Sequence, residues 1–440
     1  MDEPWLRDLL DRATTGEPPI GPLAINALRT GIKRRRRRRA QGTVACVAAV
    51  ALIGTAAVAA TGTTPNKAAG PAKVTGPTTT WVLSGEGNLY AIPNSTKLRS
   101  KKILLPGGRQ FMAVTPNGRT IYVSGDEPNA VIPVSAVTHE VEKPIEFGRQ
   151  VPMEMVITPN GKTVYVLPDG GNEVIPIATT TNTLEKPIKV GQGLGGPYDM
   201  AITPDGKTLY TTWFNPKDAG PATVVPISTA TNTREKPIKI QSASSVGLVM
   251  SPDGSTLYAV GQSSGRKKAE IVPIATATNT PGEPVSVGTT YGGGGVFVAP
   301  HGQLLYLVNY GITQTTEVIP VSMATGMAGK PIKINGFVYA MAFSPNGNTA
   351  YVASEPRQKP SVTCTGQTGV VTPISTATNR PRRPIRVACD PYAIAVTPDG
   401  KTVWVGSRDW VTPISTATDK PGMPLTFRGD LVALEIAVRP

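Results

Sequence analysis

From about residue 79 onward the chain alternates short apolar runs with polar turns rich in Gly, Pro, Asn and Asp. One unit shows the pattern. Met153–Thr158 reads as a strand, and Pro159-Asn160-Gly161-Lys162 turns it back. Thr163–Leu167 and Glu173–Ile177 are the next two strands. Thr179–Thr183 is a second polar turn, and Pro187–Val190 forms a fourth strand. Each run is too short for a helix and is rich in β-branched and aromatic residues, which suit a pleated surface. A proline opening an outer strand costs little, because the missing N–H faces solvent there. The Pro inside the third strand predicts a bulge.

The unit recurs. Pro-x-Gly turns fall at Pro116, Pro159, Pro204, Pro252, Pro300, Pro345 and Pro398, with gaps of 43, 45, 48, 48, 45 and 53 residues. An Ile/Val/Thr-Pro step falls at Pro93, Pro133, Pro176, Pro226, Pro273, Pro320, Pro373 and Pro413. Four strands per unit at such a period predict the blades of an all-β propeller. Eight Pro-containing strands favour eight blades over the alternative of seven. The first unit, from Trp81-Val82-Leu83, has no inner strand before it. The C-terminal Glu435-Ile436-Ala437-Val438-Arg439-Pro440 matches Ile394-Ala395-Val396-Thr397-Pro398. The C-terminal strand is therefore expected to be the inner strand of the first blade, with Ile436–Val438 paired to Trp81–Leu83.

The second strands read Ile121-Tyr122-Val123-Ser124, Val164-Tyr165-Val166-Leu167, Leu209-Tyr210-Thr211-Thr212 and Ala350-Tyr351-Val352-Ala353. Preceded by turns of the Thr-Pro-Asp-Gly-Lys type, these resemble the YVTN family of β-propeller repeats over residues 79–440. The namesake Asn is mostly replaced; Asn309 is its clearest survivor. The resemblance implies a propeller at a cell surface or in the periplasm, in a superfamily that includes lactonases and cofactor-dependent dehydrogenases. It does not imply one activity.

The N-terminal tenth is different. Lys33 and Arg34–Arg39 precede Thr43–Ala60, which contains no charged residue. As a helix, 18 residues span about 27 Å, near the thickness of a bilayer core. The basic flank predicts a single-pass anchor: residues 1–42 cytoplasmic, 43–60 transmembrane, 61–78 a flexible linker and 79–440 outside the cell. A cleaved signal peptide is the alternative, since Ala57-Val58-Ala59 resembles a cleavage site. Leu6, Leu9, Leu10 and Ala13 recur at helical spacing. They predict a short helix resting on the membrane face rather than a docking site.

Half of the formal +14 charge lies before residue 79, and the rest forms no dense stripe. The basic pI is therefore no argument for a nucleic-acid partner. The partners expected are a cell-wall component, a glycan or a protein outside the cell, bound by a monomeric propeller. No metal and no cofactor are expected. His139 and His301, the two histidines, fall in short turns, and Asp205, Asp253 and Asp399 recur as turn caps.

Propeller connections alternate between two faces. The short repeated turns occupy one; the long irregular loops occupy the other, where binding is expected. Trp213, Phe214, Tyr198, Tyr291, Tyr310 and Tyr392 fall in or beside those loops. With Arg149 they are the candidate ligand-binding residues, suited to stacking on a sugar or peptide; packing at the channel mouth is the other reading. Asp126, Glu127, Asp169, Asp218 and Asp390 share that face without a distinguishing spacing. Cys364 and Cys389, on the same face, are expected to form a disulfide in an oxidising compartment, with two free thiols as the alternative; Cys46 lies in the anchor. A non-enzymatic binding or scaffold module is expected. A lactone- or sugar-processing hydrolase, with carboxylates at the channel mouth, is the alternative.

Overall fold

The computed structural model describes residues 78–438, apart from 85, 94–99, 127, 170, 192–198, 214–221, 241–242, 264–268, 288–294, 311–314, 357–367, 408 and 428–430. The expected anchor, linker and basic segment lie outside these residues. No described helix is long and apolar enough to cross a membrane.

The described strands form eight antiparallel sheets, the blades of a β-propeller. Blade 2 is representative: inner strand Arg109–Val114, then Thr120–Asp126, Asn129–Ser135 and outer strand Ile145–Glu146. Both faces of each blade are buried, which explains why strands read as continuous apolar runs. Successive residues point to opposite neighbours. Trp81 and Leu83 pack toward blade 2, while Val82 packs back against Trp404 and Val411 of blade 8. Eight apolar clusters result, one between each pair of adjacent blades, and the last joins blade 8 to blade 1.

The ring closes as expected, with Leu431–Val438 as the inner strand of the first blade, beside Thr78–Ser84. The register differs from the expectation: Trp81 pairs with Glu435 and Leu83 with Ala433, whereas Ala437 pairs with Thr79. The reason lies in the repeat. Tyr122 pairs with both Ala113 and Pro133 in blade 2. The residue that pairs with the equivalent Ala437 and Pro93 is Thr79. Thr79 therefore takes the tyrosine slot of the first blade, and Trp81 lies two positions beyond it.

The third-strand prolines produce no bulge; the described bulges fall elsewhere, between inner and second strands and at Leu83/Ser84. The outer strand yields instead. In blade 3 it splits into Thr183–Leu184 and Ile188–Lys189, each pairing with one end of Glu173–Ala178. Pro176 faces the break, where Glu185 N–H donates to its carbonyl at 2.8 Å. The missing N–H thus falls where no ladder continues.

On the short-turn face the blades are latched together. Tyr122, Tyr165, Tyr210 and Tyr306 donate to Asn182, Asn232, Asn279 and Asn379 of the following blade at 2.6–2.8 Å. Each Asn has a φ between 52° and 55°, a left-handed turn position that Asn tolerates. Asn182 and Asn232 then donate to Glu142 and Glu185 of the preceding blade at 2.7 and 2.8 Å. Where blade 7 carries Arg382 in the Glu slot, the Asn slot of blade 8 is Asp419, and the two form an ion pair at 3.2 Å. His139 takes the same slot in blade 2, its ring edge-on to Trp81 with centroids 5.7 Å apart.

Candidate functional site

The channel of a propeller is lined by its inner strands. Eight inner-strand positions lie five residues before the turn proline or its C-terminal equivalent. In ring order they are Glu435, Phe111, Glu154, Asp199, Gly247, Gly295, Ala340 and Ala393. Acids occupy this level in blades 1, 3 and 4.

Glu154 and Asp199 meet. Their carboxyl groups converge on one amide: Met200 N–H reaches Glu154 Oε1 at 3.4 Å and Asp199 Oδ1 at 2.8 Å. Leu248 N–H of blade 5 donates to Asp199 Oδ2 at 2.8 Å. Gly247 permits that approach, because a Cβ there would sit 3.2 Å from the same oxygen. Burial pushes the Glu154 carboxyl well above the usual range, and the charge and hydrogen bond of Asp199 push it further. Burial also raises Asp199, to about 6, against the pull of the Leu248, Glu154 and Met200 hydrogen bonds. Both side chains are half-buried, and both shifts favour retention of a proton by the pair, with Glu154 holding it more tightly. Two carboxyls in contact cannot both ionise cheaply, so the pair holds one proton.

A second group lies across the ring, at the long-loop end of blades 7 and 8. Phe337 and Tyr339 open the inner strand of blade 7, with centroids 5.0 Å apart. Tyr339 also meets Tyr392 edge-on at 5.0 Å, and its hydroxyl reaches Asp390 Oδ1 at 3.4 Å. Asp390 has a φ of 53° and donates its N–H to Glu355 Oε2 at 3.2 Å. Burial and the charge of Asp390 raise Glu355, while hydrogen bonds from Thr368 and the Asp390 N–H oppose them. Phe337 and Tyr339 are half-buried; Tyr392 is buried.

Of the residues singled out in the sequence, Tyr392 and Asp390 are thus brought together. Trp213 is buried between blades 3 and 4, its indole lying where a side chain at Gly191 would go. Arg149 is exposed. Tyr310 ends a strand, paired with Thr316. Tyr198, Phe214, Tyr291 and Cys364 lie outside the described residues. Cys389 is disulfide-bonded and buried beside Asp390. His301 lies on the short-turn face, its Nε2 2.8 Å from the Asn346 carbonyl. The turn acids act as caps: hydrogen bonds from the Ser251 hydroxyl and Ser255 N–H hold Asp253 below the usual carboxylate range.

Sequence reasoning missed Glu154, Asp199, Glu355, Phe337 and Tyr339. A signal existed for the first: within the bounds of the eight described inner strands the charged residues are Arg109, Glu154 and Glu435, and Asp199 stands immediately before Met200–Ile202. Among the described residues no cluster of three potential metal ligands occurs.

No protein-family model and no curated protein sequence matches the chain. Solved structures do. The dihydro-heme d1 dehydrogenase NirN, in complex with DHE, superposes with a TM-score of 0.62 at 12% identity, covering 84% of this chain and 77% of that one. The apo form of AztD from Citrobacter koseri gives 0.56 at 11% identity, over 82% of this chain and 98% of its own. Hydrazine synthase of Kuenenia stuttgartiensis gives 0.54 at 20% identity, over 70% and 95%. This chain is a β-propeller. At these identities the likeness carries fold and not activity, although two of the three names are those of enzymes.

Proposed function

We propose that this chain is a YVTN-type propeller held outside the cell by residues 43–60, which binds a cell-wall glycan or peptide through its long-loop face. The carrying observation is the group Phe337, Tyr339, Tyr392, Glu355 and Asp390 at the long-loop end of blades 7 and 8, which pairs aromatic surface with hydrogen-bonding carboxylates. Aromatic surface suits the apolar faces of a sugar ring, and carboxylates suit its hydroxyls. The disulfide at Cys389 supports an oxidising compartment, and Cys364 is the proposed partner. The bridge would tie the loop after Glu355 to the Asp390 turn.

Titration calorimetry with soluble cell-wall oligosaccharides and stem peptides tests the reading. Tyr339→Ala is expected to weaken binding about tenfold or more, since a stacking contact is worth about 1.4 kcal/mol. Equal binding by the variant, or no binding by the wild type, overturns the assignment.

The Glu154–Asp199 pair favours a second reading, a lactone- or sugar-processing hydrolase. A carboxyl pair holding one proton offers an acid and a base in one place. Turnover of lactone or glycoside substrates, lost in Asp199→Asn, would support it.

A further inference from the structure

The carboxyl pair has a second consequence, independent of any ligand. Glu154 belongs to blade 3, Asp199 begins blade 4 and the Leu248 amide belongs to blade 5, so one hydrogen-bonded chain crosses three inner strands. The same blades are also joined by apolar packing and, on the short-turn face, by the Tyr165–Asn232 and Tyr210–Asn279 latches. We propose that Glu154 and Asp199 form a proton-dependent clasp that fastens blades 3, 4 and 5 at the channel wall and loosens when the shared proton leaves.

The surroundings restrict what else can drive such a change. Asp199 contributes charge and a hydrogen bond to Glu154, and Met200 a backbone N–H; Asp199 itself is met by Glu154 and the Met200 and Leu248 amides. The inner strand of blade 5, Ala243–Met250, carries no ionisable residue. The inner strand of blade 2 carries Arg109, and Phe111 occupies the level of the pair. Glu435 lies at that level in blade 1, on the far side of Phe111. At the long-loop end of blade 3 stand Asp169 and Glu173, the latter hydrogen-bonded to Gln150 at 3.2 Å. Tyr165 and Tyr210, on the second strands of blades 3 and 4, are bonded to Asn232 and Asn279. Burial pushes both hydroxyls up to about 12, so neither ionises in the range that matters.

The direction follows from linkage. Both carboxyls hold protons more tightly folded than unfolded, so their contribution is complete in acid, below the ordinary carboxylate range. It declines as pH rises through that range and beyond, and levels off once Glu154 has ionised in the folded state. Asp199 gives up its proton near 6 and leaves Glu154 as the donor of the clasp. Loss of the second proton places two negative charges in contact and removes the donor between them.

The test is amide hydrogen exchange at Leu248 and Met200 on the full-length chain, from pH 5 to 9. After correction for intrinsic exchange, the wild-type opening constant should rise about tenfold per pH unit above 6, as expected when each opening releases one proton, and then reach a plateau. Glu154→Gln keeps an N–H to donate to Asp199 but has no proton to lose, so its opening constant should be flat over the same range. An equal slope in Glu154→Gln, or a flat wild type, overturns the clasp. Should that variant fail to fold, the wild type decides alone. An infrared band of a protonated carboxyl, sensitive to labelled glutamate, must be present at pH 7 and vanish on the alkaline side of the transition. Its absence at pH 7 overturns the proposal.

Discussion

At the scale of single residues, the molecule turns on what a repeat position permits when its occupant changes. The level that holds Ala340 and Ala393 in two blades holds Glu154 and Asp199 in two others. Alanine there only fills space against the next blade, whereas a carboxyl must find donors, and both found them in backbone N–H groups and each other. Gly191 shows the opposite constraint. Its missing side chain is the space that the Trp213 indole fills. Gly191→Ala should force the ring or the strand aside at a cost of about 1–3 kcal/mol, the usual range for overpacking. Urea unfolding of the variant measures it, and an unchanged midpoint would show that the indole moves freely. Trp213 was legible as an aromatic beside a long loop but not as a buried one, because adjacency in sequence does not say which side of the strand faces the neighbouring blade. Glu154 was hidden for a related reason: a single acid among Met153, Met155 and Val156 reads as an ordinary alternation until the strand is known to be innermost.

At the scale of elements, most of the architecture was legible. The period, the turn residues and the apolar runs placed four strands per blade, since each of those signals is local. The third-strand proline was misread because its consequence is not local. A proline lacks one donor, and the bulge expected of it would have disturbed its pairing with Tyr165 on the inner side. The carbonyl of Pro176 points outward, and the outer strand breaks opposite it, so the defect is passed to the edge where it costs least. The latches between blades were equally out of reach, joining residues 60 to 73 positions apart. Tyr165→Phe tests their worth. It removes one hydrogen bond and leaves the Asn232 carbonyl half-paired, which should cost about 1–2 kcal/mol while leaving the fold intact. A shift in the denaturation midpoint at constant slope is the expected record. No shift would mean that water replaces the hydroxyl without loss and that apolar packing alone holds the blades.

At the scale of the whole molecule, the decisive joint is the one between chain ends. Thr78 pairs with Val438, so the start and finish of the ring lie side by side on the short-turn face. A flexible linker of 18 residues reaches only about 25 Å on average. If residues 43–60 anchor the chain as proposed, the short-turn face looks toward the membrane and the long loops look away, toward partners. Closure itself is non-covalent, and its strength can be measured by removal. Leu431–Val438 supplies the inner strand of blade 1, and its pairing runs from Thr78 to Ser84. Without it the edge of Thr78–Ser84 is bare, and an unpaired strand edge is a template for association with other chains. Ending the chain at residue 430 should therefore lower the melting temperature by many degrees and produce concentration-dependent aggregation, checked by calorimetry and light scattering at several protein concentrations. A peptide spanning residues 431–440 should then rebind the truncated ring and restore part of the lost stability, because the vacant position is a preformed strand site. Aggregation that the peptide does not relieve would mean that the remaining blades collapse together once the joint is cut. Unchanged melting on truncation would mean that the joint carries no load, and that the apolar cluster between blades 8 and 1 closes the ring without its innermost strand.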